Sequence, residues 1–365
     1  MKKGLFALLL VLCLGFVFVG CAKKDPTYEI AIVTDVGQLM DGSFNQGTYE
    51  GAKQFAESTG KTYKYYQPAN GSDATDADRE AAMTQAIENG AKIIVTPGYL
   101  QDAALEKVAK ANPDVKFVFL DGWAVGLDNV TAISYKEQES GYFAGYAAVK
   151  DGYTKLGGTF GGDGTNAACC RYAYGYVQGI NAAAKELGIT VDLTISFQYG
   201  AAFSASTELQ TQIAGWYNNG TEIVFSCGGS MLQSVKAAAA ETTNGKIIGV
   251  DVDQYNESDR VVTSAMKGLS ASVVKILTEW NEGKWDSLLK NQCSNLGATD
   301  NATGIPTATT SWRFTKFTVE EYNTLFAKVA SGEVTIDSTI GSNMKSAEAW
   351  ADIKAAMTNI NLTVE

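Results

Sequence analysis

A short apolar run, a polar glycine-containing loop and a helix-compatible stretch follow one another repeatedly along this chain. No other feature restricts the fold as much. Apolar strands alternating with helices specify a parallel sheet covered on both faces. In such α/β folds ligands collect beyond the carboxyl ends of the strands. The first unit is the most telling. The strand 28–34 (YEIAIVT) leads into the loop 35–46 (DVGQLMDGSFNQ), and a helix follows over 47–56. The loop carries carboxylates (Asp35, Asp41), a hydroxyl (Ser43), a carboxamide (Asn45) and an aromatic ring (Phe44). An aromatic face beside hydrogen-bonding groups suits a flat, polar, uncharged ligand. The competing reading is local: Asp41 and Ser43 cap the helix and Phe44 staples it.

Further strands are expected over 61–66, 92–96, 115–120 and 130–134, with helices over 78–89 and 101–111 between them. The pattern then restarts. Helices are expected over 141–149, 171–187, 206–218, 232–241 and 270–283, and strands over 155–160, 190–197, 222–226 and 246–250. Another short strand precedes Lys267. The segment 290–310 turns to Asn, Thr, Ser and Gly and reads as an irregular crossing. A strand is expected over 312–317, a helix over 319–329 and a helix-like tail over 346–357. Two sheets in tandem imply two similar lobes. The expected division is 28–136 with 265–290 for the N-terminal lobe, and 137–264 with 291–365 for the C-terminal lobe.

Residues 1–20 read as a signal peptide: Lys2 and Lys3, an apolar run from 5 to 19, then Gly20 before Cys21. Residues 18–21 (FVGC) resemble a lipobox with Phe18 in place of the usual Leu, and 21–27 form a tether. Cys21 is therefore the expected lipidation site, and the mature chain is expected outside the cytoplasmic membrane, held by lipid. The 365 residues carry 40 Asp+Glu against 29 Lys+Arg, which argues against nucleic acid and mildly against a polyanionic ligand. There is no histidine, which excludes Ser-His and Cys-His catalysis. Cys169, Cys170, Cys227 and Cys293 remain after the leader. Export permits disulfides among them, but buried free thiols are the preferred reading. No spacing suggests a metal site, and no cofactor is expected.

The strand-end residues Asp35, Asp121 and Asp251 recur at equivalent places in the two halves, and Gly228 and Gly229 also follow a strand, where a simple turn is the competing reading. Asp163 and Asp253 read better as helix caps. Phe203 follows the strand 190–197 much as Phe44 follows the first strand, so two closing lobes would sandwich a flat ring between them.

The segments TDVGQLMDGSFNQG (34–47), FLDG (119–122), FAGYAA (143–148), CGGS (227–230), IGVDVDQ (248–254) and TSAMKG (263–268) resemble the basic membrane protein family. These are lipid-anchored substrate-binding proteins of ABC transporters, and the family includes the spirochaetal purine nucleoside receptor. The resemblance implies the type I periplasmic-binding-protein fold, α/β with two doubly wound parallel-sheet lobes joined by a hinge. It implies that Phe44 and Phe203 stack on the base, and that Asp35, Asn45 and Asp121 bond its edge. Asp251, Lys267 and the Gly228–Gly229 backbone would hold the ribose. The implied ligand is a purine nucleoside (guanosine, inosine or adenosine). The implied partners are an ABC permease and ATPase, with the chain itself a monomer and no enzyme. Met40, Asp163, Cys169, Cys170 and Trp123 depart from the family pattern. Two alternatives remain: a nucleoside sensor, and a nucleoside-processing enzyme whose aspartates would have to converge on a metal.

Overall fold

The computed structural model describes residues 27–36, 38–197, 203–340 and 344–365. The leader, Cys21 and the tether up to residue 26 lie outside them. The first lobe opens with β1 (Ile30–Val33), α1 (Phe44–Thr59), β2 (Tyr63–Tyr66), α2 (Asp76–Glu88), β3 (Ile93–Pro97), α3 (Asp102–Ala111), β4 (Lys116–Leu120) and β5 (Val130–Tyr135). The second lobe takes α4 (Glu137–Asp151), β6 (Lys155–Phe160), α5 (Ala167–Leu187), β7 (Val191–Phe197), α6 (Thr207–Asn218), β8 (Ile223–Cys227), α7 (Met231–Ala240), β9 (Lys246–Asp251) and β10 (Val261–Lys267). Then come α8 (Leu269–Asn281), β11 (Cys293–Leu296), β12 (Thr303–Gly304), α9 (Val319–Ala330), α10 (Ala351–Ala356) and β13 (Ile360–Val364).

The first sheet runs β11-β5-β4-β3-β1-β2 and is parallel throughout. The second runs β12-β10-β9-β8-β6-β7-β13, parallel except for the antiparallel β10–β12 pair. Central strands such as β1, β3 and β8 are buried along their whole length, which is why they read as unbroken apolar runs. Helices start and stop where their chemistry dictates. Thr75 and Asp78 form a capping box for α2, as Thr318 and Glu321 do for α9. Left-handed Gly60, Gly152 and Gly188 end α1, α4 and α5.

Three crossings join the lobes: β5 to α4, β10 to α8, and β11 to β12. The sheets put β10 in the second lobe and β11 in the first. The later crossings therefore fall after Lys267 and after Leu296, rather than at 265 and 291. Helix α8 packs on α1, where a Cβ on Gly51 would lie 2.7 Å from the Ser270 Cα. The small-residue helices α4 and α5 approach still more closely. A Cβ on Gly175 would lie 2.0 Å from the Gln138 carbonyl oxygen, and one on Gly141 would lie 2.3 Å from that of Tyr172. This contact fixes the starts of both helices beside the crossing.

The segment 312–317 is not a strand. Trp312, Phe314 and Phe317 pack on one another instead. The Asp151 carboxylate holds the turn by accepting the Thr315, Lys316 and Phe317 N–H groups at 2.6, 2.6 and 3.2 Å. The helix expected over 346–357 shrinks to α10, and the chain end becomes the edge strand β13 beside β7.

Candidate functional site

The carboxyl ends of both sheets face one cleft of about 550 Å³. Asp35, Phe44, Asn45 and Asp121 line it from the first lobe; Phe203, Gly228, Gly229, Asp251 and Lys267 line it from the second. The nine residues expected to touch the ligand thus meet in one cavity. Residues 198–202, between the strand and Phe203, lie outside the described residues.

The first loop does both of the things its sequence allowed. Asp41 caps α1, accepting the Ser43, Asn45 and Gln46 N–H groups at 2.8, 3.1 and 3.1 Å. Burial nevertheless pushes its carboxyl up to about 6 against those donors. Ser43 is no cap: its hydroxyl donates across the cleft to Asp251 Oδ2 at 2.7 Å. Beside it Gln254 Nε2 donates to the Gly42 carbonyl at 2.8 Å, so the lobes are in contact here. Capping places Phe44 and Asn45 in the first turn of α1, at the cleft wall. Asn45 Oδ1 is buried with no hydrogen-bond partner. Asp35 accepts the Val36 N–H at 2.6 Å. Its carboxylate lies against Gly98 (φ 103°), where a Cβ would sit 2.0 Å from Asp35 Oδ2; only glycine fits there.

Asp121 and Asp251 end β4 and β9 with φ of 53° and 66°, a left-handed turn that aspartate tolerates better than most residues. Each carboxylate is thereby aimed back over its sheet edge toward Lys267. Lys267 Nζ is buried 2.6 Å from Asp121 Oδ2, 3.2 Å from Glu137 Oε1 and 3.9 Å from Asp251 Oδ1. It also lies 5.0 Å from the ring centre of Phe44 and 5.5 Å from those of Tyr135 and Tyr172. Arg171 Nε donates to the other Glu137 oxygen at 2.5 Å. Burial alone would lower the Lys267 pKa, but the three carboxylates outweigh it and hold the ammonium charged. Burial raises Asp121 to about 6 despite Lys267, and raises Asp251 as well. Glu137 is pushed up by burial but held below its ordinary value by Lys267 and Arg171. Asp121 Oδ1 is buried without a hydrogen-bond partner. Tyr172 completes the floor, its hydroxyl donating to the Ala265 carbonyl at 3.2 Å.

Sequence reasoning missed Glu137, Arg171 and Tyr172. Glu137 had a signal, since it follows β5 as Asp121 follows β4. The inward turn of Arg171 and Tyr172 had none. Of the two expected caps, Asp163 instead pairs with Lys345 at 3.2 Å, and Asn166 caps α5 by accepting the Cys169 N–H at 2.8 Å. Asp253 accepts the Tyr255 N–H at 3.3 Å, at the start of the short turn Tyr255–Glu257, and also the Ser311 hydroxyl at 2.5 Å. Cys169, Cys170 and Cys227 are buried free thiols and Cys293 is exposed. Among the described residues no group of three or more Cys, Asp or Glu is arranged to hold a metal ion, and no helix is long and apolar enough to cross a membrane.

Two parallel-sheet lobes that share a polar and aromatic cleft and are joined by three crossings define the type I periplasmic-binding fold. The crystal structure of an ABC transporter solute-binding protein from Aeropyrum pernix K1 superposes with a TM-score of 0.72 at 21% identity, over 90% of this chain and 97% of that one. The profile of the Bmp family, described as ABC transporter substrate-binding protein PnrA-like, matches residues 29–339, and the chain belongs to that family. It is 29% identical to the ABC transporter nucleoside-binding protein BmpA of Lactococcus lactis subsp. cremoris, over 83% of this chain and 93% of the relative. It is 25% identical to basic membrane protein B of Borreliella burgdorferi, over 83% of this chain and 87% of the relative.

Proposed function

We propose that this protein captures a purine nucleoside outside the cytoplasmic membrane, anchored by lipid on Cys21, and passes it as a monomer to an ABC permease with its ATPase. It binds without breaking a bond. The observation that carries this reading is the pair of buried, partnerless acceptors Asn45 Oδ1 and Asp121 Oδ1 in a cleft that also holds Phe44 and Phe203. A flat ring with N–H groups on its edge supplies the donors those oxygens lack, and the aromatic faces take its two sides. Asp35 reads the same edge. Asp251 and the Gly228–Gly229 backbone hold the ribose hydroxyls.

Lys267 has a different part in this reading from the one its family resemblance implies. Its donors are already directed at Asp121, Glu137 and Asp251. We assign it to positioning those carboxylates rather than to the ribose itself. A phosphate would enter a field of carboxylates whose one nearby ammonium is engaged, so a nucleotide is disfavoured.

Calorimetry of guanosine, inosine, adenosine, guanine and guanosine monophosphate on one sample tests the reading. The expected order is nucleoside, then free base, then monophosphate. Tighter binding of the monophosphate than of its nucleoside overturns it. A sensor would share this site, and binding to a membrane receptor instead of a permease would favour that role.

A further inference from the structure

The cleft also contains chemistry that solute capture does not use. Cys169 and Cys227 both line it, and the Cys169 thiol lies near enough to Cys227 to help keep that thiol protonated. Cys227 closes β8 and Cys169 lies in the first turn of α5, so the sheet edge itself brings them together. Both are free, and buried to 6% and 1% exposure. Cys170 is directed elsewhere, its Sγ 3.3 Å from the Gly164 carbonyl oxygen. We propose that Cys169 and Cys227 form a redox-active dithiol in the ligand cleft, which a small-molecule disulfide oxidises to a Cys169–Cys227 bridge that weakens ligand binding.

The exchange balances without any other reagent. Cys169 gives up its proton, and its sulfur attacks one sulfur of R–S–S–R. The S–S bond of the reagent breaks, and the departing sulfur takes a proton to leave as R–SH. Cys227 then loses its proton and attacks Cys169 Sγ in the mixed disulfide, releasing the second R–SH. Two protein thiols are oxidised, and one external disulfide is reduced to two thiols. Cys169 attacks first because it is the more accessible, and because burial keeps the Cys227 thiol protonated.

The geometry next to Cys227 links the bridge to binding. Gly228 and Gly229 follow it directly, and Phe203 rests on them. A Cβ on Gly228 would lie 3.1 Å from Phe203 Cδ1, and one on Gly229 would lie 3.0 Å from the Phe203 carbonyl oxygen. Drawing the two sulfurs to the bonded separation of about 2 Å pulls the end of β8 toward α5. The glycine floor and the ring upon it move with it. The proposed export would place the pair in a compartment that permits disulfides.

The affinity effect rests on the nucleoside reading, whereas the bridge does not. The reduced protein is treated with 2-hydroxyethyl disulfide, alkylated and peptide-mapped by mass spectrometry. Inosine and guanosine are titrated before treatment, after it, and after dithiothreitol. The expected map shows a peptide joining Cys169 to Cys227, which Cys169→Ser and Cys227→Ser each abolish and Cys170→Ser leaves in place. The bridged protein is expected to bind at least tenfold more weakly until reduced. A mixed disulfide that stops at one cysteine, a bridge through Cys170, or unchanged affinity of the bridged protein overturns the proposal. If the reduced protein binds no nucleoside, the functional reading falls and the map alone decides the dithiol.

Discussion

Lys267→Met removes the one ammonium that three carboxylates share while keeping most of the apolar stem. At an effective dielectric of about 20, the 2.6 Å contact with Asp121 alone corresponds to about 6 kcal/mol of attraction. Desolvation of each ion offsets several kcal/mol of it, and removing one partner of a buried pair typically costs about 3–5 kcal/mol. Here Glu137 keeps Arg171, but Asp121 and Asp251 keep no cation within 4 Å among the described residues. The expected loss is therefore toward the upper end, about 4–5 kcal/mol at pH 8, read from urea unfolding. The sign of its pH dependence follows. Asp121 already titrates near 6 in the folded chain, above its unfolded value, and loss of Lys267 raises it further. A raised folded pKa means that the penalty is absent below the unfolded pKa and grows as pH rises through the folded one. The variant should thus lose less stability at pH 5 than at pH 8, and Asp121→Asn should rescue part of the loss. A loss below about 1 kcal/mol, or an equal loss at both pH values, would refute this account of the cluster.

Phe44→Ala and Phe203→Ala should each weaken nucleoside binding by about 1–3 kcal/mol, by analogy with base stacking elsewhere, with native circular dichroism retained; unchanged isotherms for both remove the sandwich. Affinity should fall as pH drops below about 6, the value to which Asp121 is pushed, because protonation takes away the carboxylate acceptor, by at most about tenfold per unit. A flat profile from pH 8 to 5 would contradict that role. Gly175→Ala sets a Cβ 2.0 Å from the Gln138 carbonyl oxygen and should destabilise by about 2 kcal/mol or more; an unchanged melting temperature would show that α4 and α5 can part freely.

The fold was legible wherever burial and pattern coincide. The strands from β1 to β10 sit in parallel sheets, so most announce themselves as apolar runs ended by Gly, Asp or Pro. β11 did not, because its residues Cys293, Ser294 and Asn295 are exposed on an edge and carry no apolar signal. The segment 312–317 misled for the opposite reason. Its aromatic residues look like a strand, but Asp151, distant in sequence, bonds its N–H groups and bends it into a turn. The site divides the same way. Strand-end aspartates stand out because α/β topology assigns that place in advance. Which of them share one lysine depends on distances set by three crossings and by the α4–α5 contact, and no local pattern encodes those. The resulting cluster has a consequence for closure. A closed cleft leaves Asn45 Oδ1 and Asp121 Oδ1 desolvated, at about 1–3 kcal/mol for each unsatisfied group. On the proposed reading a base edge removes that penalty only when both lobes are in place. Closure is then driven by contacts that exist in the closed state alone, which is what a population shift by ligand requires.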